Sequence, residues 1–387
     1  MDESVAALDE TIVAMDVWHV ALPVNSRRDH GIGTVSDTIE CVIVRLTSEC
    51  GETGFGEASP WSVFTGTPEA SFAALDRYFR PLVIGARLGD FEKTMASARR
   101  IVVHCTEAKA ALEGAWIDLT GKLLNKPVWD LLGEQCRTEV PLSVSLANPD
   151  FDADISLVER LLDDGVGIVK LKTGFRNHAF DMMRLGRLKT DYPQLMVRVD
   201  YNQGLDRETA LWSVPEIDRL EPDFIEQPVV AHDYETMAQL RDITNAPLLA
   251  DESVFGPEDM RRALREEICD GVSIKIMKSA GMVRGMEVAQ IAGEAGMPAY
   301  GGDMFETGLA HLAGLHMIAV SPNILLGCEF YHATYYLVED LLEKSFPIRG
   351  GKVQVPETPG LGMTVNQDLL NRFAIRQSSS GAVAWTL

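Results

Sequence analysis

The chain alternates between short apolar runs and amphipathic stretches over most of its length. In its later part eight apolar runs recur at intervals of 24 to 28 residues, and they end near Ser145, Lys172, Asp200, Glu226, Asp251, Lys275, Gly302 and Cys328. Between the runs, apolar residues recur at three- and four-residue steps, as in amphipathic helices. The pattern therefore predicts eight parallel strands joined by helices, the number that closes a (β/α)₈ barrel.

The first third of the chain has a different pattern. Alternating runs and a glycine-punctuated hairpin predict an antiparallel sheet, and helical periodicity follows from about Thr67 to Gly133. A barrel takes about 250 residues, so a chain of 387 residues has room for a second domain. We predict an α/β fold with a modified (β/α)₈ TIM barrel over residues 136–349. An N-terminal α+β capping domain covers residues 1–135, and the C-terminal tail, residues 350–387, completes it.

Three carboxylates lie at the polar ends of consecutive predicted strands. Asp200, Glu226 and Asp251 are 26 and 25 residues apart, so the barrel brings them to one rim. A carboxylate set without His or Cys suits Mg²⁺, with Mn²⁺ as an alternative. The strands ending at Lys172 and Lys275 flank this set and face each other across the mouth. The pattern predicts a metal-held carboxylate substrate between two lysines that transfer protons beside the carboxylate.

Other polar residues near the strand ends are candidates for substrate contact or for support of these groups. They are Lys170, Asn202, Glu252, Lys278, Asp303, Glu306, Glu329, Asp29 and His30. Lys170 lies two positions before Lys172 on the same strand face, where we expect it to supply a second positive charge beside Lys172. Asp29 and His30 are in a polar stretch of the first domain, where a solvated loop is the simpler interpretation. The other seven histidines show no paired spacing and are assigned no role.

Composition restricts the partners and the location. A net charge of −22 disfavours nucleic acid and anionic membranes, whereas local lysines and a metal still permit a small carboxylate substrate. The chain has no apolar run of membrane-spanning length, and its start lacks the features of a signal peptide. We therefore predict a cytoplasmic protein with a small-molecule substrate.

Five motifs in barrel order resemble the enolase superfamily, specifically its muconate-lactonizing-enzyme subgroup. They are KLK from Lys170, DYN from Asp200, EQP from Glu226, DES from Asp251 and SIKIMKS from Ser273. The resemblance covers nearly the whole chain. It implies Mg²⁺ on the three carboxylates, and Lys172 and Lys275 as an acid/base pair that acts through a metal-stabilised enediolate. It also implies a substrate-side position for Glu306, a mobile loop near residues 22–33 over the mouth, and assembly as dimers or octamers.

The specific reaction is left open by the residues. SVSLANPDFDAD from Ser143, IMKS from Ile276 and LGCEFY from Leu326 are most similar to cis-3-hydroxy-L-proline dehydratases, which implies dehydration of a hydroxyproline-type amino acid. Muconate cycloisomerisation is the alternative, followed by amino-acid racemisation or epimerisation. Dipeptides are disfavoured, because only Glu329 remains where dipeptide epimerases carry an Asp-x-Asp pair. Outside the enzymes, the alternative is a non-catalytic carboxylate-binding barrel, although no expected lysine or acid is replaced.

Overall fold

The alternating runs at the start of the chain form the long strands of a capping domain. A computed structural model describes residues 6–379 of the protein. The strands of the cap are β1 (Ile12–Pro23), β2 (Arg28–His30), β3 (Gly33–Val35), β4 (Thr38–Ser48) and β5 (Thr53–Ala58). Its helices are α1 (Pro68–Ala73), α2 (Arg80–Val83), α3 (Phe91–Ile101), α4 (Thr106–Leu124) and α5 (Val128–Leu132). A π-helical segment, Ala74–Phe79, joins α1 to α2, and a short 3₁₀ turn, Leu88–Asp90, precedes α3.

The eight predicted apolar runs form eight parallel strands. After a short strand β6 (Glu139–Pro141), the barrel strands are β7 (Ser143–Leu146), β8 (Ile168–Lys172), β9 (Met196–Asp200), β10 (Ile225–Glu226), β11 (Leu248–Ala250), β12 (Gly271–Ile274), β13 (Ala299–Gly301) and β14 (Ile324–Cys328). They lie side by side in chain order. A parallel bridge between Leu142 and Cys328 joins the first strand to the last. The predicted modified barrel with an α+β cap is confirmed.

Helices follow the barrel strands, as parallel connections require. They are α6 (Phe151–Asp163), α7 (His178–Asp191), α8 (Arg207–Asp218), α9 (Tyr234–Ile243), α10 (Pro257–Arg265), α11 (Ile276–Ser279), α12 (Met282–Glu294) and α13 (Gly308–Ala319). After β14 the chain forms a π-helical turn, His332–Tyr336. No helix among residues 6–379 is long and apolar enough to cross a membrane.

The C-terminal segment returns to the cap. Strands β15 (Ile348–Arg349) and β16 (Lys352–Gln354) pair with β6, and α14 (Gln367–Phe373) leads into β17 (Ala374–Ser378). Strand β17 pairs antiparallel with β1, giving a cap sheet in the order β17, β1, β4, β5. The tail thus supplies an edge strand to the cap. The predicted domain boundaries stay predictions, and residues 1–5 and 380–387 lie outside the described residues.

The cap is joined to the barrel by α4 and by two buried acids. Helix α4 is buried on nearly all sides and packs on β5. Strand β5 and helix α4 approach closely because Gly56 has no side chain. A Cβ at this position would lie 2.0 Å from the carbonyl oxygen of Ala111. Glu57 accepts the backbone N–H of Thr307 at 2.8 Å at the start of α13. Glu113 accepts that of Val283 at 3.0 Å at the start of α12.

Candidate active site

Strand register brings the predicted rim residues together. Lys172 and Asp200 are paired residues on β8 and β9, and Asp200 is in turn paired with Glu226 on β10. Asp251 directly follows β11, and Lys275 directly follows β12. Each acid lies at the carboxyl end of its strand, and all three carboxylate residues are fully buried. The sequence period therefore places these five side chains on one rim of the barrel.

On the first side of the rim, two lysines contact the carboxylates. The Lys172 ammonium lies 2.6 Å from Asp200 Oδ2. The Lys170 ammonium lies 3.2 Å from the same oxygen, 2.9 Å from Glu226 Oε2 and 2.7 Å from Glu329 Oε2. Lys170 is fully buried, so its charge is balanced by three acids and it lies beneath the cavity floor. Of the two, only Lys172 borders the open space above.

On the second side, Asp251 is held by another pair of lysines. Lys275 lies 2.7 Å from Asp251 Oδ2, and Lys278 lies 2.7 Å from Asp251 Oδ1. Lys278 also donates to the backbone carbonyl of Asp251 at 2.5 Å. Lys275 borders the cavity. Each side of the rim thus has one lysine facing the cavity and one buried behind it.

The lysines set the ionisation of two of the acids. Burial opposes ionisation of Asp200, but Lys172 and Lys170 outweigh burial and lower its pKa. Burial opposes ionisation of Asp251 as well, and Lys275 is the strongest of the groups that nevertheless lower its pKa to about 2. Both acids are therefore negatively charged at neutral pH, as ligands of a cation must be.

For two further acids, burial outweighs the attraction of the nearby lysines. Burial raises the pKa of Glu226 to about 7, against the attraction of Lys170. Burial, with Asp251 as a like charge, raises the pKa of Glu252 to about 8. For both acids, the loss of solvation on burial contributes most to the raised pKa. A divalent cation beside these acids would supply the positive charge that they need in order to ionise.

The donor set fits Mg²⁺. Among residues 6–379, Glu226 Oε1, Glu252 Oε2 and Asn202 Oδ1 are buried oxygens without a hydrogen-bond partner. Asn202 donates its backbone N–H to Asp200 at 2.8 Å and its amide to Glu252 at 3.2 Å, which orients both acids. Unpaired buried oxygens on carboxylate and amide groups are ligands for a hard cation. The three-carboxylate set, with Asn202 and Glu252 beside it, therefore suits Mg²⁺ or Mn²⁺.

A small cavity of about 30 Å³ lies above this rim. Lys172, Lys275, Asn202 and Glu329 border it from the barrel. The cap contributes His30, Trp61 and Phe64, and the segment after β13 contributes Asp303 and Phe305. Pockets for small ligands usually measure several hundred Å³. A substrate therefore requires the cap residues above the rim to move aside as it enters.

The hairpin formed by β2 and β3 closes one side of the cavity. His30 makes edge contacts with the rings of Trp61 and Phe305 at 5.3 and 5.4 Å, and burial holds its pKa well below the usual value. Asp29 turns away, because its side chain accepts hydrogen bonds from Arg27 and Thr34, both at 2.8 Å. The structure thus brings His30 to the cavity, whereas Asp29 stabilises the hairpin.

Asp303 and Glu306, after β13, contact histidines. Asp303 Oδ2 lies 3.1 Å from His311 Nε2 and 2.9 Å from His332 Nδ1. Glu306 accepts the backbone N–H of Met304 at 3.1 Å, and its Oε2 lies 3.6 Å from His311 Nε2. Asp303 borders the cavity, whereas Glu306 lies behind it. Glu306 thus lies in a second polar cluster, and its predicted position beside the substrate stays a prediction.

Sequence reasoning missed several residues of this region. Arg28 is buried, donates to the carbonyl of Ser145, and lies 5.4 and 5.0 Å from the rings of Tyr331 and Tyr336. Ser145 donates in turn to Glu329 at 2.6 Å. The only available sequence signal was that Arg28 adjoins Asp29 and His30 in the same polar stretch. Contacts between residues more than a hundred positions apart have no local signature.

Known proteins resemble this chain over nearly its whole length. Residues 9–133 match the family described as "Mandelate racemase / muconate lactonizing enzyme, N-terminal domain", and residues 154–369 match "Enolase C-terminal domain-like". The N-succinyl-L-Arg/Lys racemase of Bacillus cereus is 29% identical over 371 residues, which cover 95% of this chain and 98% of that protein.

Solved structures of two enzymes match 95% of this chain. The crystal structure of a muconate cycloisomerase from Azorhizobium caulinodans has a TM-score of 0.82 and 37% identity, covering 95% of this chain and 99% of that one. That of the muconate lactonizing enzyme from Pseudomonas fluorescens, complexed with muconolactone, has a TM-score of 0.91 and 29% identity, covering 95% and 100%.

The capped barrel and its rim of acids and lysines define an enzyme of the enolase superfamily. Within that superfamily the chain belongs to the mandelate racemase/muconate lactonizing enzyme family. The relatives named here are cycloisomerases and a racemase. They match the alternative reactions from the sequence and give no support to hydroxyproline dehydration. Because these relatives are enzymes, a non-catalytic carboxylate-binding barrel finds no support either.

Proposed function

We propose that this enzyme transfers a proton at a carbon beside a substrate carboxylate, with Lys172 and Lys275 as the two proton carriers. The observation that carries the proposal is their position. They end the second and the sixth of eight barrel strands, and both border the cavity. Strands four apart in a ring of eight stand opposite each other, so a substrate between them presents one face to each lysine.

Asp200, Glu226 and Asp251 would hold Mg²⁺, which when bound supplies positive charge beside the substrate carboxylate. The remaining steps belong to the chain itself. One lysine removes the α-proton, and the opposite lysine delivers a proton to the other face. Asn202 and Lys278 keep the acids oriented through the contacts already described.

Racemisation or epimerisation of an amino-acid derivative is the reaction that a pair of opposed lysines supports best. Inversion at carbon requires an acid/base group on each face, and the chain has one on each. The N-succinyl-L-Arg/Lys racemase, similar over 95% of this chain, supports the same reaction class. Cycloisomerisation is the second candidate, favoured by the TM-score of 0.91 with a muconate lactonizing enzyme. Hydroxyproline dehydration stays a prediction from the sequence.

Proton exchange in deuterium oxide tests the proposal. The Mg²⁺-loaded enzyme is incubated with N-succinyl amino acids of each hand, with cis,cis-muconate and with cis-3-hydroxy-L-proline, and proton NMR follows the α-position and the products. Racemisation is expected to bring deuterium into both enantiomers. Lys172→Ala should abolish exchange of one enantiomer and Lys275→Ala that of the other.

A surface lysine provides the matched control. Lys189 donates to the backbone carbonyl of Glu221 away from the rim, so Lys189→Ala should exchange both enantiomers at the wild-type rate. Undiminished exchange in both Lys172→Ala and Lys275→Ala would refute the two-lysine assignment. Lactone formation from muconate without exchange of any amino acid would instead establish cycloisomerisation.

The family resemblance implies how the enzyme assembles, and the sequence predicts where it is located. We propose a homo-oligomer, either a dimer or an octamer, located in the cytoplasm. Light scattering after size-exclusion chromatography measures the mass directly, and a monomer at all concentrations would contradict the proposal.

A further inference from the structure

A second polar cluster lies beside the cavity and has no part in the proposed proton transfer. Asp303 follows β13, His311 is on α13, and His332 begins the π-helical turn after β14. Asp303, His311 and His332 are 8%, 0% and 2% exposed, respectively. The three rim carboxylates come from β9, β10 and β11 instead, so the cluster is built from different elements.

The cluster has the dimensions of a metal site. Asp303 Oδ2 lies 3.1 Å from His311 Nε2 and 2.9 Å from His332 Nδ1. The three ligand atoms all lie within 4.8 Å of one another. An ion bound at about 2.0 to 2.2 Å from each nitrogen and oxygen keeps neighbouring ligand atoms about 3 Å apart. Only small side-chain adjustments therefore separate this arrangement from coordination.

Hydrogen bonding alone does not satisfy His332. Its Nδ1 lies 2.9 Å from Asp303 Oδ2 but is not aligned for a hydrogen bond, and within the described chain this nitrogen has no other partner. A neutral imidazole carries a lone pair on one nitrogen and a proton on the other. Each unpaired buried polar group costs about 1 to 3 kcal/mol. A metal ion would use the lone pair of His332 Nδ1.

Neighbouring residues support the same geometry. Glu306 Oε2, 3.6 Å from His311 Nε2, can supply a fourth ligand. The ring of His311 stacks on Phe330 at 5.0 Å, and that of His332 stacks on Phe305 at 5.4 Å, which fixes both rings. Two imidazoles with carboxylates favour Zn²⁺ or a similar transition-metal ion, whereas Mg²⁺ prefers a set made of oxygen alone.

We propose that Asp303, His311 and His332, with Glu306 as a fourth ligand, form a second metal site that takes Zn²⁺ in preference to Mg²⁺. The ion joins the segment after β13 to the turn after β14, and so fixes two sides of the cavity. This proposal stands apart from the proton-transfer function, since it uses none of the rim residues.

Zinc binding in excess Mg²⁺ tests the site. Metal-free protein is dialysed against Zn²⁺ with Mg²⁺ present to fill the rim, and bound zinc is measured by mass spectrometry. Wild type is expected to retain one Zn²⁺ per chain, and His332→Gln and His311→Gln should lose it. His178→Gln, at a half-buried histidine paired with Glu216, should retain it.

A rim variant separates this site from the proposed function. Asp251→Asn should lose Mg²⁺-dependent activity and still bind zinc. Equal zinc retention by wild type and His332→Gln, or no zinc bound by wild type, would overturn the second site. If Asp251→Asn lost zinc and His332→Gln kept it, the zinc would belong to the rim. That result would also overturn the second site.

Spectroscopy on the unmodified chain covers the case in which a buried histidine variant fails to fold. Pulsed electron paramagnetic resonance of protein loaded with Cu²⁺ in excess Mg²⁺ should show nitrogen modulation from two imidazoles. The rim set has no imidazole and cannot produce that signal. Modulation from fewer than two imidazoles would contradict the proposed ligands.

Discussion

Two groups of buried acids in this enzyme, those at the junction of cap and barrel and those at the rim, have different partners. At the junction of cap and barrel, Glu57 and Glu113 accept backbone N–H groups at the starts of barrel helices. At the rim, Asp200 and Asp251 contact lysine ammonium groups at 2.6 to 2.7 Å. A backbone donor is fixed by the fold, whereas a lysine can be displaced by a cation or can release its proton. The kind of partner thus differs between the acids of the junction and the acids of the rim.

The largest expected effect is the loss of activity when an acid of the rim is neutralised. Asp251→Asn removes a charge from the candidate Mg²⁺ ligands, and activity should fall by about 10³-fold or more, since a metal ion supplies several kcal/mol of transition-state stabilisation. The variant should still fold, although the buried Lys275 and Lys278 lose their charged partner and some stability is lost with it. Steady-state rates and Mg²⁺ titration calorimetry check both points, with the exposed Asp191→Asn as the control. Normal activity in Asp251→Asn would refute the metal assignment.

A change in the packing of β5 on α4, the two cap elements that carry Glu57 and Glu113, should lower stability and leave the chemistry unchanged. In Gly56→Ala the new Cβ would lie 2.0 Å from the carbonyl oxygen of Ala111, so β5 and α4 must separate. Overpacking of this kind costs roughly 3 kcal/mol or more, measured by urea unfolding. Gly186→Ala is the control, because its Cβ meets nothing within 4 Å on α7 and should stabilise the helix by up to about 1 kcal/mol. A well-folded Gly56→Ala of unchanged stability would contradict the close packing.

The pH dependence of stability gives a third test. Burial raises the pKa of Glu113 from 4.5 to about 7, so the folded chain holds a proton that the unfolded chain releases. That contribution is complete below the unfolded pKa and is lost as pH rises through 7. Between about pH 5 and pH 8 the unfolding free energy of wild type should fall by on the order of 2 kcal/mol relative to Glu113→Gln. Parallel pH profiles for the two proteins would show that Glu113 is not responsible.

The smallest expected effect is on the hairpin over the mouth. Asp29 is held by Arg27 and Thr34, away from the cavity, so Asp29→Ala should change stability by less than about 0.5 kcal/mol and leave turnover nearly unchanged. His30→Ala, which removes a ring from the cavity wall, should alter KM for the substrate. A larger kinetic effect for Asp29→Ala than for His30→Ala would reverse these assignments.

Periodicity made much of this predictable. A strand and its return helix occupy a nearly constant length, so Asp200, Glu226 and Asp251 could be assigned to one rim before any coordinates were known. Glu113 could not be distinguished from other helical acids, because burial against a distant helix start leaves no local pattern. His311 and His332 escaped notice for the same reason, since they meet through tertiary packing and not through sequence spacing.

The reaction itself was less predictable than the site. Opposed lysines and carboxylates are common to racemisation, cycloisomerisation and dehydration, so the shared residues determine only the first proton transfer. We expect the product to depend on what the cap residues His30, Trp61 and Phe64, which border the cavity, allow to bind. His30 ends the three-residue strand β2, and Trp61 and Phe64 lie in the segment after β5, where sequence patterns carry little information.

Strand β17 has a consequence for the order in which the enzyme is made. It pairs with β1 at Val17 to Val20, yet ribosomes synthesise it after all eight barrel strands. Until then the outer edge of β1 has no neighbouring strand, and exposed strand edges invite pairing with other chains. Completion of the cap therefore depends on a segment synthesised after the barrel, and a nascent chain stalled within the barrel would expose its first strand to association with other polypeptides.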